Sequence, residues 1–95
     1  MLELKDTGLE EFSFGDEPDD RFYILVNKKI SPDGIDVDKL SKADPRKFDS
    51  ILNDMGCILM LNGLEVTELC MRGELDNENL HESMFELAKD EGIIK

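Results

Sequence analysis

The chain has 95 residues and a net charge of −12, from 23 acidic and 11 basic side chains. That length holds one domain with a single core, residues 1–95, and leaves no room for a second. The acidity disfavours direct binding to nucleic acid or to an anionic membrane and favours a protein partner with a basic surface.

Met1-Leu2-Glu3-Leu4-Lys5-Asp6 has neither the basic nor the apolar region of a signal peptide. No stretch approaches the roughly twenty apolar residues of a membrane span, so a soluble, cytoplasmic protein is expected. Residues 1–20 carry eight acidic side chains and one basic, a local charge of −7. Phe12 and Phe14, two apart, share one face of a short strand over about 9–14, with Glu11 and Ser13 on the other. Gly15-Asp16-Glu17-Pro18-Asp19-Asp20 reads as a turn. This segment is either an edge strand with a solvated acidic loop or a mobile acidic-aromatic arm that docks on a partner.

Phe22-Tyr23-Ile24-Leu25-Val26, continuing to Ile30, is the clearest strand, rich in β-branched and aromatic residues. Ser31-Pro32-Asp33-Gly34 closes it with a turn. Asp33 to Asp38 looks superficially like a calcium loop, but with Gly34 at the sixth position Lys29 falls first and Leu40 twelfth, where acidic ligands are required. No metal site is expected.

Val37 to Lys42 can form a turn or two of helix, and Asp44-Pro45 restarts one with Asp as N-cap and Pro in the first helical position. Phe48, Ile51, Leu52 and Met55 form a single stripe at i, i+3, i+4 and i+7, and Gly56 is placed to end the helix. A helix-turn-helix DNA reader is not expected here, because residues 31–50 still sum to −1.

Cys57 to Met71 is the most apolar stretch and reads as a β-hairpin about Asn62-Gly63, the dipeptide of a type I′ turn. Cys57 to Leu61 is apolar at every position, which suits a central strand covered on both faces. In the second arm Val66, Leu69 and Cys70 also have helical spacing. The hairpin register makes Cys57 and Cys70 diagonal neighbours, roughly 7–8 Å apart, too far for an unstrained disulfide. Two reduced thiols are expected, in keeping with a reducing compartment.

Asn77 can cap a helix running to about Asp90, with Gly92 as its stop. Leu80, Met84, Leu87 and Ala88 line one side, and Glu78, Glu82, Glu86 and Asp90 the other at four-residue intervals. Ile93 and Ile94 add a short edge strand or fold back on the core. The elements sum to an α+β fold of order β-β-α-β-β-α: a small antiparallel or mixed sheet with two helices packed on one face, split-βαβ-like.

His81 is the sole histidine, and no Gly-rich phosphate loop or metal-ligand motif occurs. Neither an enzyme nor a cofactor is expected. Charge concentrates at the two ends, −7 in residues 1–20 and −5 in residues 74–95. The expected function is that of an acidic, non-enzymatic inhibitor or regulator. It presents carboxylates to a basic site on a partner, such as a nucleic-acid-binding site on a viral or host defence protein, as in viral counter-defence. Its candidate contacts are Glu78, Glu82, Glu86 and Asp90 on the last helix, with Glu10, Glu11, Asp16, Glu17, Asp19 and Asp20 near the start. An i,i+4 carboxylate row rises about 6 Å per step, near the roughly 7 Å phosphate spacing of DNA, hence a DNA-mimic reading. The alternative is an adaptor, assembly chaperone or structural subunit that binds through an apolar interface, with acids serving solubility, and homo-oligomers are compatible with it.

Overall fold

The computed structural model describes residues 2–13 and 15–94. The chain forms an α+β fold with a three-stranded antiparallel sheet, β1 (Thr7–Ser13), β2 (Arg21–Asn27) and β3 (Cys57–Asn62), in the order β1-β2-β3. The strand richest in β-branched residues is the middle one. Ile24, Leu25 and Val26 are each 0% exposed, and alternation along a strand sends Ile24 and Val26 to one face and Leu25 to the other. Both faces of β2 therefore need apolar cover.

Four helices supply it from both sides. Under the Ile24/Val26 face lie the segments of α1 (Val37–Ser41) and α2 (Phe48–Asp54), which bury Leu40, Leu52 and, just beyond α2, Met55. On the Leu25 face lie α3 (Gly63–Met71) and α4 (Leu80–Asp90), contributing Val66, Met84, Phe85 and Ala88. The expectation of two helices on one face is thus corrected: apolar residues at successive positions of β2 demand helices above and below. The described order is β-β-α-α-β-α-α. β3 returns antiparallel to β2, whereas a βαβ crossover would return a parallel strand, so the split-βαβ order does not hold among the described residues.

Two expectations about Cys57–Met71 are overturned. The hairpin's second arm is the helix α3, because Asn62 is its N-cap rather than a turn residue. The Asn62 side chain accepts the Glu65 N–H at 2.8 Å, while the Glu65 carboxylate accepts the Asn62 N–H at 3.2 Å. This capping box satisfies two backbone donors at once. Gly73, at φ +77°, terminates the helix where the chain must turn left-handed, its N–H donating to the Cys70 carbonyl. Moreover, among the described residues β3 pairs with β2 alone and is an edge, not the centre. Its unbroken apolarity has a different cause. Leu25 faces Leu59 but Val26 faces Cys57, so Ile58 is an extra residue in a β-bulge, and the bulge turns both Ile58 and Leu59 toward the Leu25 side.

Other elements match the sequence more closely. The 37–55 region is helical and broken near 44. Asp44 accepts the Arg46 N–H at 3.0 Å and caps the 3₁₀ turn Pro45–Lys47 that leads into α2. Gly56 ends α2 at φ +83°. The last helix begins two residues later than expected, with Asn79 rather than Asn77 at its N-cap position, since Asn77–Asn79 is a 3₁₀ turn capped by Asp76, which accepts the Glu78 N–H at 3.0 Å. Of the two final isoleucines, Ile94 folds back into the core and Ile93 stays exposed. Phe12 is buried and stacks on Phe22 with centroids 5.4 Å apart; its expected face-mate Phe14 lies outside the described residues. The two thiols are unbridged but are not diagonal neighbours, because Cys57 packs on the α2 side of the sheet and Cys70 on the α4 side.

Candidate protein-binding site

The ten candidate carboxylates do not converge on one surface. Their placement follows from where α4 crosses the sheet. Near its start, His81 Nε2 lies 2.8 Å from Thr7 Oγ1. Past its end, Ile93 shares a hollow with Asn27, Gly56 and Ile58. Thr7, Asn27 and Cys57 all sit at one end of the sheet by register, so α4 spans that end. The β1–β2 loop, carrying Asp16, Glu17, Asp19 and Asp20, leaves from Ser13 and Arg21 at the opposite end.

That loop is not a free arm. Pro18–Asp20 forms a 3₁₀ turn against the first residue of α3. The backbone of Gly63 approaches the Pro18 carbonyl so closely that a Cβ there would collide with its oxygen. A cleft of about 400 Å³ between loop and helix is lined by Asp16, Glu17, Arg21, Tyr23 and Thr67. Among the described residues of this segment, Thr7–Ser13 is strand β1 and the Pro18–Asp20 turn lies against α3. Its acids near the start of α3 face the positive end of that helix dipole, a local stabilising arrangement.

Glu10 and Glu11 lie mid-strand on opposite faces of β1. Glu11 pairs with Arg21 at 3.5 Å; both side chains are more than half exposed, so the pair adds little stability. Glu10 points to the α2 side, where its carboxylate lies against Gly34.

The acids that do meet are at the α4 end. Glu78 and Glu82 line a groove of about 450 Å³ with Leu4, Leu9, Leu80 and His81. Its lining is mixed, the three leucines standing together with the polar side chains of Asn77, Glu78, Asn79, His81 and Glu82, and one wall is β1, the strand that bears Glu11 on the same face as Leu9. Glu86 and Asp90 continue along α4 beyond the groove, exposed and at four-residue spacing from Glu82. The regular carboxylate row is thus Glu82, Glu86 and Asp90. Glu78 belongs to the preceding 3₁₀ turn, where Asn79 at φ −128° and ψ 54° interrupts the helical geometry. The helical four-residue spacing runs through three of the four carboxylates.

His81 ties α4 to β1 through Thr7. The Thr7 hydroxyl donates to the Leu4 carbonyl at 2.7 Å, so it can only accept from the imidazole, which fixes the proton on Nε2. Partial burial, aided by nearby Lys28, keeps the ring below its ordinary pKa, with Glu82 acting in the opposite sense. The Cys57 thiol is pushed up to about 11 by burial and then by Asp49, which makes it a poor nucleophile at neutral pH. Among the described residues no group of three or more His, Cys, Asp or Glu side chains could hold a metal ion. No helix among the described residues is long and apolar enough to cross a membrane.

The groove was half visible in the sequence. The four-residue spacing marked Glu78 and Glu82, but the pairing of the last helix with β1 has no local signal, and Leu4 and Leu9 were not singled out as its lining. No protein-family model matches the chain, and no curated protein or solved structure is significantly similar to it.

Proposed function

We propose that the chain is a non-enzymatic interaction protein, an inhibitor or regulator that receives a basic segment of a partner protein in the groove between β1 and the start of α4. The observation that carries this reading is the conjunction in one groove of three leucines, Leu4, Leu9 and Leu80, with the carboxylates of Glu78 and Glu82. Protein interfaces combine an apolar centre with a charged rim, and complementary charge sets association rate and salt dependence. A −12 chain steers a basic partner from a distance. The acidic loop 16–20 lies at the far end of the sheet and is assigned to packing against α3 rather than to docking. Whether the partner binds DNA or belongs to a defence system is a matter of its identity, to be read from capture.

The test is capture and kinetics at two salt concentrations. Glu78→Lys with Glu82→Lys is expected to slow association of the captured partner tenfold or more and to flatten its salt dependence. Glu86→Lys with Asp90→Lys, outside the groove, should change it much less. Equal effects from the two pairs, in folded variants, would sink the groove and leave only diffuse charge.

A second reading, an adaptor binding through an apolar surface, is favoured by one feature. Ile30 and Ile93, 57% and 45% exposed, flank the hollow that also contains Ile58. Binding there would persist at high salt, where a groove-bound basic partner is released.

A further inference from the structure

We infer, resting on the groove reading above, that the partner segment is an extended strand of the order basic-basic-apolar, and that it adds to the outer edge of β1 as a fourth strand of the sheet. The hydrogen-bond parity of β1 points to this. The Lys28 N–H donates to the Asp6 carbonyl at 2.8 Å in the same register that pairs Thr7 with Asn27. In an antiparallel ladder, hydrogen-bonded and non-bonded pairs alternate. Gly8 and Glu10 therefore bond to β2, while Leu9 and Glu11 turn their N–H and C=O groups outward, away from it. Among the described residues β1 pairs with no second strand. The register over Thr7–Ser13 runs without a bulge. An outward-facing pair of residues two apart is the minimum template for strand addition.

The opposite edge lacks this template. On β3, Leu59 and Leu61 bond inward, so the outward positions are Met60 and Asn62. The Asn62 N–H is already taken by the Glu65 carboxylate at 3.2 Å, and the Ile58 bulge breaks the ladder on the other side of Met60. Only one outward residue is left, which cannot specify a register.

Charge selects the occupant of β1. A strand running antiparallel places successive residues opposite Glu11, Glu10 and Leu9. The first lies on the groove face beside the Glu11 carboxylate, the second on the other face beside Glu10, and the third over the leucines of the groove, which Glu78 and Glu82 also line. Lys or Arg, Lys or Arg, then a Leu-sized residue satisfies all three. A second copy of this chain is a poor occupant. The antiparallel β1–β1 register centred on Glu10 sets the two Glu10 residues directly opposite each other, the one centred on Glu11 does the same to the two Glu11 residues, and like charges directly opposite are destabilising. The register centred on Leu9 overlaps only residues 7–11.

The test uses the full chain and a capped synthetic octapeptide with Lys-Lys-Leu at its centre and threonines on either side, titrated by NMR at low salt. Its first Lys and its Leu lie opposite Glu11 and Leu9 and point their backbone at β1; its second Lys points away. N-methylation of the first Lys or of the Leu is expected to raise Kd tenfold or more, and N-methylation of the second Lys to change it less than threefold. On the protein side, Glu11→Pro removes an outward N–H without touching the β1–β2 ladder, and should weaken binding tenfold relative to Glu11→Ala. If the methylated peptides respond alike and the two variants bind alike, strand addition is overturned while salt-sensitive binding still supports the groove. If neither this peptide nor a polylysine control binds at low salt, the groove reading falls and the inference falls with it.

Discussion

The two edges of the sheet solve the same problem in opposite ways. β3 is free of charge, and its exposure is managed by backbone irregularity, a bulge at Ile58 and a capping box that takes the Asn62 N–H. β1 is regular in backbone, and its exposure is managed by side chains, Glu10 and Glu11. Edge strands are blunted by either device, but the two are not equivalent. A bulge breaks the template for an incoming strand of any charge, whereas carboxylates repel an acidic strand and attract a basic one. The regular edge is selective and the irregular edge is closed, which is why the binding proposal falls on β1.

The largest expected effect tests which strand is the centre. Leu25→Ala, at a fully buried residue of β2, should cost about 2–5 kcal/mol of unfolding free energy. Leu59→Ala, half-buried on β3, should cost about 1–2 kcal/mol, since less apolar area is lost. Urea unfolding of both variants measures this. Equal losses would mean that something covers β3 as fully as β1 and β3 cover β2, and the contrast between edge and centre would fail.

A smaller effect probes the end of the sheet where the acidic loop meets the exit of β3. Gly63→Ala brings a Cβ against the Pro18 carbonyl oxygen, and a backbone atom yields only by moving the loop. A loss of about 1–3 kcal/mol is expected, despite the helix propensity that alanine gains. A stabilised variant, seen as a raised unfolding midpoint, would show that the loop stands clear of α3.

The smallest effect concerns the tie between α4 and β1. Because the His81 pKa is lowered in the folded protein from the ordinary 6.5, chiefly by burial, the unfolded chain takes up this proton first on acidification. The stability that neutral His81 contributes is complete above about pH 6.5 and is lost as the pH falls from there toward the folded pKa. An NMR titration of the ring should give a midpoint below 6.5. A midpoint at or above that value would mean that burial does not disfavour the charged ring, and that α4 packs on β1 more loosely than its geometry.

Much of the local structure was legible. The β-branched run 22–26 could only be a well-covered strand, and the stripe Phe48, Ile51, Leu52 and Met55 with Gly56 behind it could only be a short helix on a core. The amphipathic pattern 80–90 likewise marked a surface helix. These features are read within one or two turns of chain, where steric preference and periodicity act directly. The Asn62-Gly63 dipeptide was the divided case. Asn serves both a type I′ turn and an N-cap, and the signals that decide for helix were present: Glu65 three residues on, helical spacing of Val66, Leu69 and Cys70, and Gly73 as a stop. The hairpin reading weighed the apolar run above these capping signals.

What the amino-acid order alone determined was therefore the type of most elements, the −12 charge that constrains the partner, and the spacing of the carboxylates on the last helix. Only the tertiary structure decided that β2 rather than β3 is central, that helices cover both faces, and that Glu78 and Glu82 meet Leu9 while Asp16 to Asp20 lie at the other end. The reason is range: whether an apolar strand is centre or edge, and which carboxylates share a surface, depends on contacts between residues many tens of positions apart, such as Thr7 with His81, and no local periodicity encodes them.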